Sequence, residues 1–177
     1  VLDCATSITQ RGKIEYFPKI NKDTPKGMVI GKDGEAKTDS KQILKDLVNG
    51  EAALAPLGGI GEELAGYKGY GYATIVEVLS AALSAGKFLK ALSGFNESGE
   101  RMPYHLGHYF LVIDPEAFMG LDSFKKTTGD ILRELRNSEL APGESRIYTA
   151  GEKEYLSYLE RKDKGIPMTK GVMEDFK

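Results

Sequence analysis

The residues best suited to chemistry gather around glycine. Pro56-Leu57-Gly58-Gly59 precedes Gly66-Tyr67-Lys68-Gly69-Tyr70-Gly71, which sets a lysine and a flexible backbone at the start of an apolar helical segment. Free N–H groups and the positive end of a helix dipole attract anions at such a place, and Lys68 adds a full charge. The spacing reads G-x-x-G-x-G, the reverse of the G-x-G-x-x-G fingerprint, and Gly-Lys lacks the following Ser or Thr with which a P-loop holds magnesium. Two readings stand side by side: an anion cradle, and a set of tight turns that pack loop against helix.

A second cluster is Asp3-Cys4-Ala5-Thr6-Ser7, where a strand is expected to give way to a helix. Hydroxyls and exposed amides at a strand end commonly face a crevice in layered α/β proteins; the plainer reading is a helix cap at Thr6 or Ser7 and an inert buried thiol at Cys4. His105 and His108 lie three apart without third and fourth ligands at recognisable spacing, so no metal is expected and both read as structural. Glu62-Glu63 reads as a solvated pair, and no catalytic residue is assigned within the chain.

Composition removes several function classes. The chain has 177 residues with 24 Lys and Arg against 26 Asp and Glu, a formal charge of −2, which provides neither a nucleic-acid footprint nor a polybasic membrane patch. The apolar stretch from Ala73 to Leu83 is too short for the ~20 residues of a membrane helix. A single cysteine forms no internal disulfide, and a reducing cytoplasm is the expected compartment. Glycine is the outlier, 21 residues where average usage of ~7% gives about 12.

The elements that must position these groups are read from periodicity and punctuation. Val1-Leu2 reads as the end of a buried core strand, with further sequence expected upstream. Ala5 to Tyr16 reads as a short helix stopped by Pro18, and Met28-Val29-Ile30 as a short strand. Asp39 or Ser40 caps a helix through Val48, with Ile43, Leu44, Leu47 and Val48 as one stripe and Asn49-Gly50 as its terminator. From Gly69 to Gly86 the apolar set Tyr72, Ile75, Val76, Val78, Leu79, Ala82 and Leu83 covers most of the surface, which predicts a central buried helix. Tyr109 to Ile113 has the unbroken β-rich run of a buried strand. Asp122 or Ser123 then caps a helix carrying Phe124, Ile131 and Leu135, Arg146 to Thr149 forms a short strand, and a last helix runs from near Gly151 to Gly165. Strands separated by helices predict an α/β layer structure.

Several of these segments, in order, resemble one family. Leu2-Asp3-Cys4-Ala5-Thr6-Ser7 with Arg11-Gly12-Lys13-Ile14, Pro56 to Gly59, Gly66 to Gly71, Val76-Glu77-Val78-Leu79-Ser80, Gly107-His108-Tyr109-Phe110, Ile113-Asp114-Pro115, and Gly151-Glu152 before Gly165-Ile166-Pro167 are similar to the malate/L-lactate dehydrogenases, non-Rossmann NAD(P)-dependent oxidoreductases. The resemblance covers nearly the whole chain. Members are about twice as long, so residues 1–177 resemble a C-terminal half that includes part of the cofactor-binding region.

The resemblance implies a non-Rossmann mixed β-sheet flanked by helices, a homodimer, and reduction of 2-oxo acids or related imines to 2-hydroxy acids or their amine counterparts with NAD or NADP as hydride carrier. It assigns Asp3, Cys4, Ala5 and Thr6 to strand-end cofactor contacts, Tyr67 and Lys68 to the dinucleotide, and Gly151 with Glu152 to a Pro-Gly-Glu turn beside it. Here Ala150 stands for the usual Pro, and Ile60 to Ala65 lengthen the glycine loop. That long loop resembles the malate-type members, so malate and oxaloacetate are the preferred pair; lactate, sulfolactate, ureidoglycolate and cyclic imines are the alternatives. The family's Ser-His-Gly histidine and its carboxylate-binding arginine belong to the N-terminal half, and the chain contains no Ser-His-Gly. A dinucleotide-binding module without turnover is the competing reading.

Overall fold

The computed structural model describes residues 1–176 and divides into two compact units, one of residues 1–4 with 111–167 and one of residues 5–110 with 168–176.

The second unit holds the packed core. Helix α1 (Arg11–Lys19) and helix α2 (Ser40–Asn49) pack over a two-stranded antiparallel sheet of β1 (Val29–Gly31) and β2 (Ala52–Leu54), in which Val29 faces Leu54 and Gly31 faces Ala52. Ile14, Val29 and Ile43 are buried together, ringed by Met28, Leu44, Leu47, Ala52 and Leu54. The α2 signals act as expected: Asp39 Oδ1 accepts from the N–H of Lys41 at 2.9 Å and of Gln42 at 3.0 Å, and Gly50 ends the helix in the left-handed region. Beneath its first turn the Thr24 and Ser40 hydroxyls pair at 2.8 Å, which satisfies both groups out of water.

Helix α1 departs from expectation. Residues 5–9 are not helical, because the Ile8 N–H donates to the Ala55 carbonyl at 2.9 Å and Ser7 bridges Pro56, so long-range pairing overrides local helix preference. Pro18 lies inside the last turn rather than before it, where a missing N–H interrupts the ladder only next to its end. Helix α3 (Gly66–Glu77) continues into a π-helical turn over Val78–Ala82. The expected burial of this helix is corrected: Tyr72, Ile75, Val76, Val78 and Leu83 are each more than half exposed, and its buried residues are Gly66, Gly69 and Ala81. A helix apolar on nearly every side has no sequence-marked inner face, and it meets the rest of the unit through its small and polar residues: Gly66 and Gly69 on the glycine loop, Glu77 on the Leu89 N–H, and Ser80 on Gly107.

The first unit consists of α4 (Leu121–Arg136), α5 (Glu152–Lys164) and their connections. The α4 cap is Gly120 rather than Asp122 or Ser123, with Glu116 accepting the Leu121 N–H at 2.8 Å. In α5, Gly165 closes the helix as expected. A short helix α6 (Lys170–Glu174) belongs to the second unit, where Gly171 meets the Lys19 backbone and Asp175 pairs with Lys19.

Among the described residues the sheet is two-stranded and antiparallel, so the fold is helix-rich and the mixed sheet expected from sequence is not formed within these residues. Val1-Leu2, Tyr109 to Ile113 and Arg146 to Thr149 form no strand, and Val1, Leu2, Phe110, Leu111, Val112 and Ile113 are exposed. A strand exists only as one side of a ladder, and these segments meet no second side. The accessible surface is 14402 Å², whereas two separate globules of these sizes leave about 10,000 Å². Much of the excess is apolar, including Phe124, Ile131 and Leu135 along α4.

Candidate functional site

Within the second unit, the glycine loop and α3 are joined backbone to backbone. The Thr6 carbonyl accepts the Leu57 N–H at 3.0 Å, which ties the Ala5-Thr6 segment to the loop. A β-carbon added at Gly69 would overlap the backbone of Leu57, and one at Gly66 the carbonyl of Gly59. The first two glycines of G-x-x-G-x-G therefore serve close packing, while Gly71 faces open space. Ala65, at φ 55, turns the chain into the helix.

This geometry revises the anion cradle. The Gly66 N–H donates to Gly61 at 3.1 Å and the Lys68 N–H to Ala65 at 3.0 Å, so two of the expected free amides are satisfied internally. The exposed Lys68 side chain is left for an anion: its Nζ lies 6.0 Å from the Tyr67 ring centroid and enters no ion pair among the described residues. Beside it opens a crevice of about 500 Å³ edged by Ile30, Pro56, Gly59, Gly66, Tyr67 and Tyr70. A cationic head next to an aromatic-edged crevice suits a ligand with a phosphate and a flat ring.

In the first unit, Asp3 and Cys4 are exposed, which corrects the buried thiol expected at Cys4. Gly151 takes φ 84, and a β-carbon there would meet the Val1 backbone at 2.7 Å, so the turn admits only glycine. Glu152 is the most engaged side chain of this unit. Its Oε2 accepts from the Thr149 N–H at 3.1 Å, the Thr149 hydroxyl at 3.2 Å and Arg136 Nε at 3.3 Å, while its Oε1 pairs with Arg146. The Thr149 amide, and behind it the Arg146 and Arg136 charges, hold the carboxyl below the ordinary glutamate range despite desolvation. Arg146 also lies 5.2 Å from the Tyr148 ring centroid, with Lys153 Nζ at 4.9 Å from the same ring.

Arg136, Arg146, Tyr148 and Lys153 escaped the reading of the sequence because they converge on the turn only through folding. One local signal was available: Thr149-x-x-Glu152 is the spacing of a capping box, and Glu152 does accept the Thr149 N–H. His105 and His108 are exposed, His108 stacking on Phe110 at 6.3 Å, and Glu62 and Glu63 are solvated as read. Among the described residues no group of three or more His, Cys, Asp or Glu is placed to hold a metal ion, and no helix is long and apolar enough to cross a membrane.

Comparison with known proteins gives one consistent relationship. The sequence profile of the family described as malate/L-lactate dehydrogenase matches residues 1–177. A malate dehydrogenase of Pyrococcus horikoshii is 37% identical over 175 residues, 99% of this chain and 46% of that protein. An L-sulfolactate dehydrogenase of Methanocaldococcus jannaschii is 35% identical over 176 residues, again 99% of this chain and 46% of the relative. Among solved structures, the malate dehydrogenase of Entamoeba histolytica superposes with a TM-score of 0.88 at 37% identity, covering 98% of this chain and 48% of that one. The chain thus spans about half the length of the relatives it matches. Its motifs, its backbone and its full-length match to the profile agree: the chain belongs to the malate/L-lactate dehydrogenase family.

Proposed function

We propose that the protein works as part of an oxidoreductase that interconverts a 2-hydroxy acid and a 2-oxo acid with NAD(P), malate and oxaloacetate being the preferred pair. The observation that carries the reading is the tie between Thr6 and Leu57 in the second unit, which brings one segment singled out by the family resemblance onto the loop that packs against the start of α3, where Tyr67 and Lys68 stand. Similarity to malate dehydrogenases at 37% identity supports the substrate class.

In this reading Asp3, Cys4, Ala5, Thr6, Tyr67, Lys68, Gly151 and Glu152 belong to the cofactor-binding region. Lys68 neutralises phosphate charge, and the Tyr67 edge of the crevice excludes water from one face of the ligand. Glu152 holds the Gly151 turn in shape. The nicotinamide, when bound, supplies the hydride. The protein groups have a positioning task, because hydride transfer needs donor carbon and carbonyl carbon aligned at near contact. The proton donor and the cation for the substrate carboxylate are assigned to residues other than these 177, in keeping with the absence of Ser-His-Gly.

The same reading assigns the protein to the cytoplasm as a homodimer, with the mixed non-Rossmann sheet of the family completed by segments such as 109–113. The exposed apolar side chains along α4 support a partner surface. The lack of Ser-His-Gly also favours a second reading for the isolated chain, nucleotide binding without turnover. Titration of the purified chain with NADH, followed by an assay of oxaloacetate-dependent NADH oxidation, separates the two. Binding with turnover establishes the first, binding without turnover the second, and no binding refutes the cofactor assignment.

A further inference from the structure

We propose that Arg136, Arg146 and Lys153 form a phosphate-monoester site at the Gly151–Glu152 turn, and that through it the protein prefers NADP(H) to NAD(H). The inference rests on the reading that this turn lies against the nicotinamide cofactor, and it goes beyond that reading by naming which dinucleotide.

The two dinucleotides differ at one place, a ribose hydroxyl that in NADP(H) carries a phosphate monoester. A site for the free hydroxyl presents a carboxylate able to accept its hydrogen bond, and a site for the phosphate presents arginine. Glu152 is the carboxylate at this turn, and it is already engaged on both oxygens. The Thr149 N–H, the Thr149 hydroxyl and Arg136 crowd its Oε2, and Arg146 holds its Oε1. Its side chain is also only 14% exposed. A ribose hydroxyl would have to compete with the Arg146 guanidinium for the one oxygen that is not crowded, on a side chain largely withdrawn from solvent.

The cations, in contrast, are in excess and within reach. Glu152 is the carboxylate paired with Arg136 and with Arg146, and Lys153 enters no ion pair among the described residues, so three cations share one anion. The Arg136 and Arg146 side chains are 42% and 50% exposed, which leaves guanidinium N–H groups for a ligand. Arg146 is held from two directions, by the Glu152 carboxylate and by the Tyr148 ring, so little side-chain freedom remains to be lost when an anion docks. Lys153 lies over the same ring, so two cations gather at one aromatic side chain, and an anion that joins them relieves their mutual repulsion. A phosphate monoester, with −1.5 to −2 charges at pH 7 and three strong acceptor oxygens, answers that arrangement.

The test titrates NADPH and NADH into the full chain by nicotinamide fluorescence, in the wild type and in Arg146→Gln and Lys153→Gln. NADPH is expected to bind about tenfold more tightly than NADH, and Lys153→Gln, which leaves the Glu152 bonds intact, to narrow that ratio through NADPH alone. Arg146→Gln is expected to bring the two ligands within about threefold of each other. Equal wild-type affinities, or a ratio unmoved in both variants, overturns the preference while dinucleotide binding itself stands. The second arm follows the Tyr148 ring signals by NMR as 2′-AMP or inorganic phosphate is added. Should neither dinucleotide bind while 2′-AMP still shifts Tyr148 in the wild type and not in Arg146→Gln, the monoester site stands and the cofactor reading fails. Inorganic phosphate as effective as 2′-AMP identifies a free-phosphate site and overturns the NADP(H) preference. Silence of Tyr148 to both overturns the site.

Discussion

The backbone of Leu57 lies against Gly69 so closely that no β-carbon fits between them. The same Leu57 donates its N–H to Thr6, so one residue fastens both the segment that enters the loop region and the helix that leaves it. Gly69→Ala is expected to cost about 1–3 kcal/mol, the usual penalty of forcing a methyl into a packed contact. Gly71→Ala, on the same helix with nothing within 4 Å, is expected to gain about 0.5–1 kcal/mol from reduced chain entropy. Urea denaturation of the two variants checks the pair; a Gly69→Ala protein as stable as Gly71→Ala would mean the helix and loop do not meet as described.

Lys68→Ala is expected to weaken NADH or NADPH binding by on the order of 1–3 kcal/mol, the loss of a charge-assisted contact. The side chain is exposed and unpaired among the described residues, so stability should stay within about 0.5 kcal/mol of the wild type. Calorimetric titration beside a melting curve reads both numbers. An unchanged affinity removes Lys68 from the cofactor site.

Acid should loosen the first unit through Glu152. Its folded carboxyl titrates below the ordinary value, so the stability it contributes is fully present above about pH 4.3 and is lost as pH falls through the lowered folded value. Asp130 in the same unit, held down by Lys126 and Arg133, and Asp33 in the other, held down by Lys37, act with the same sign. Urea midpoints measured from pH 6 down to pH 3 are expected to fall, and to fall less steeply in Glu152→Gln. Equal slopes in the two proteins would show that Glu152 is not paired in solution.

The apolar side chains of α4 predict association. Sedimentation equilibrium is expected to give about twice the 19.4 kDa of the chain, since Phe124, Ile131 and Leu135 are each about half exposed and burial of such groups drives assembly. Ile131→Ser is expected to shift the equilibrium toward monomer with little change in urea midpoint, whereas Ile43→Ala, inside the core of the second unit, should cost about 2–5 kcal/mol. A monomer at all concentrations would refute the homodimer.

Helix α2 shows what local sequence decides. Asp39 caps it, Ile43 faces inward and Gly50 ends it, because capping bonds and side-chain periodicity span no more than a few residues. The close of α5 at Gly165 was legible for the same reason, and so was the family, since its motifs lie in order along the chain. Strands were not. Tyr109 to Ile113 has the composition of a buried strand, yet a ladder depends on a partner that composition does not name, and none pairs with it here. The glycine loop was legible as a place and not as a geometry: only folding shows that Gly66 and Gly69 press on backbone while Gly71 does not, and that two of the expected free amides are already bonded. Glu152 marks the boundary most sharply. Its spacing from Thr149 is local and readable, but the two arginines that pair with it come from positions 136 and 146, and tertiary structure alone turns a glutamate that could have met a ligand into one that holds the turn beside it.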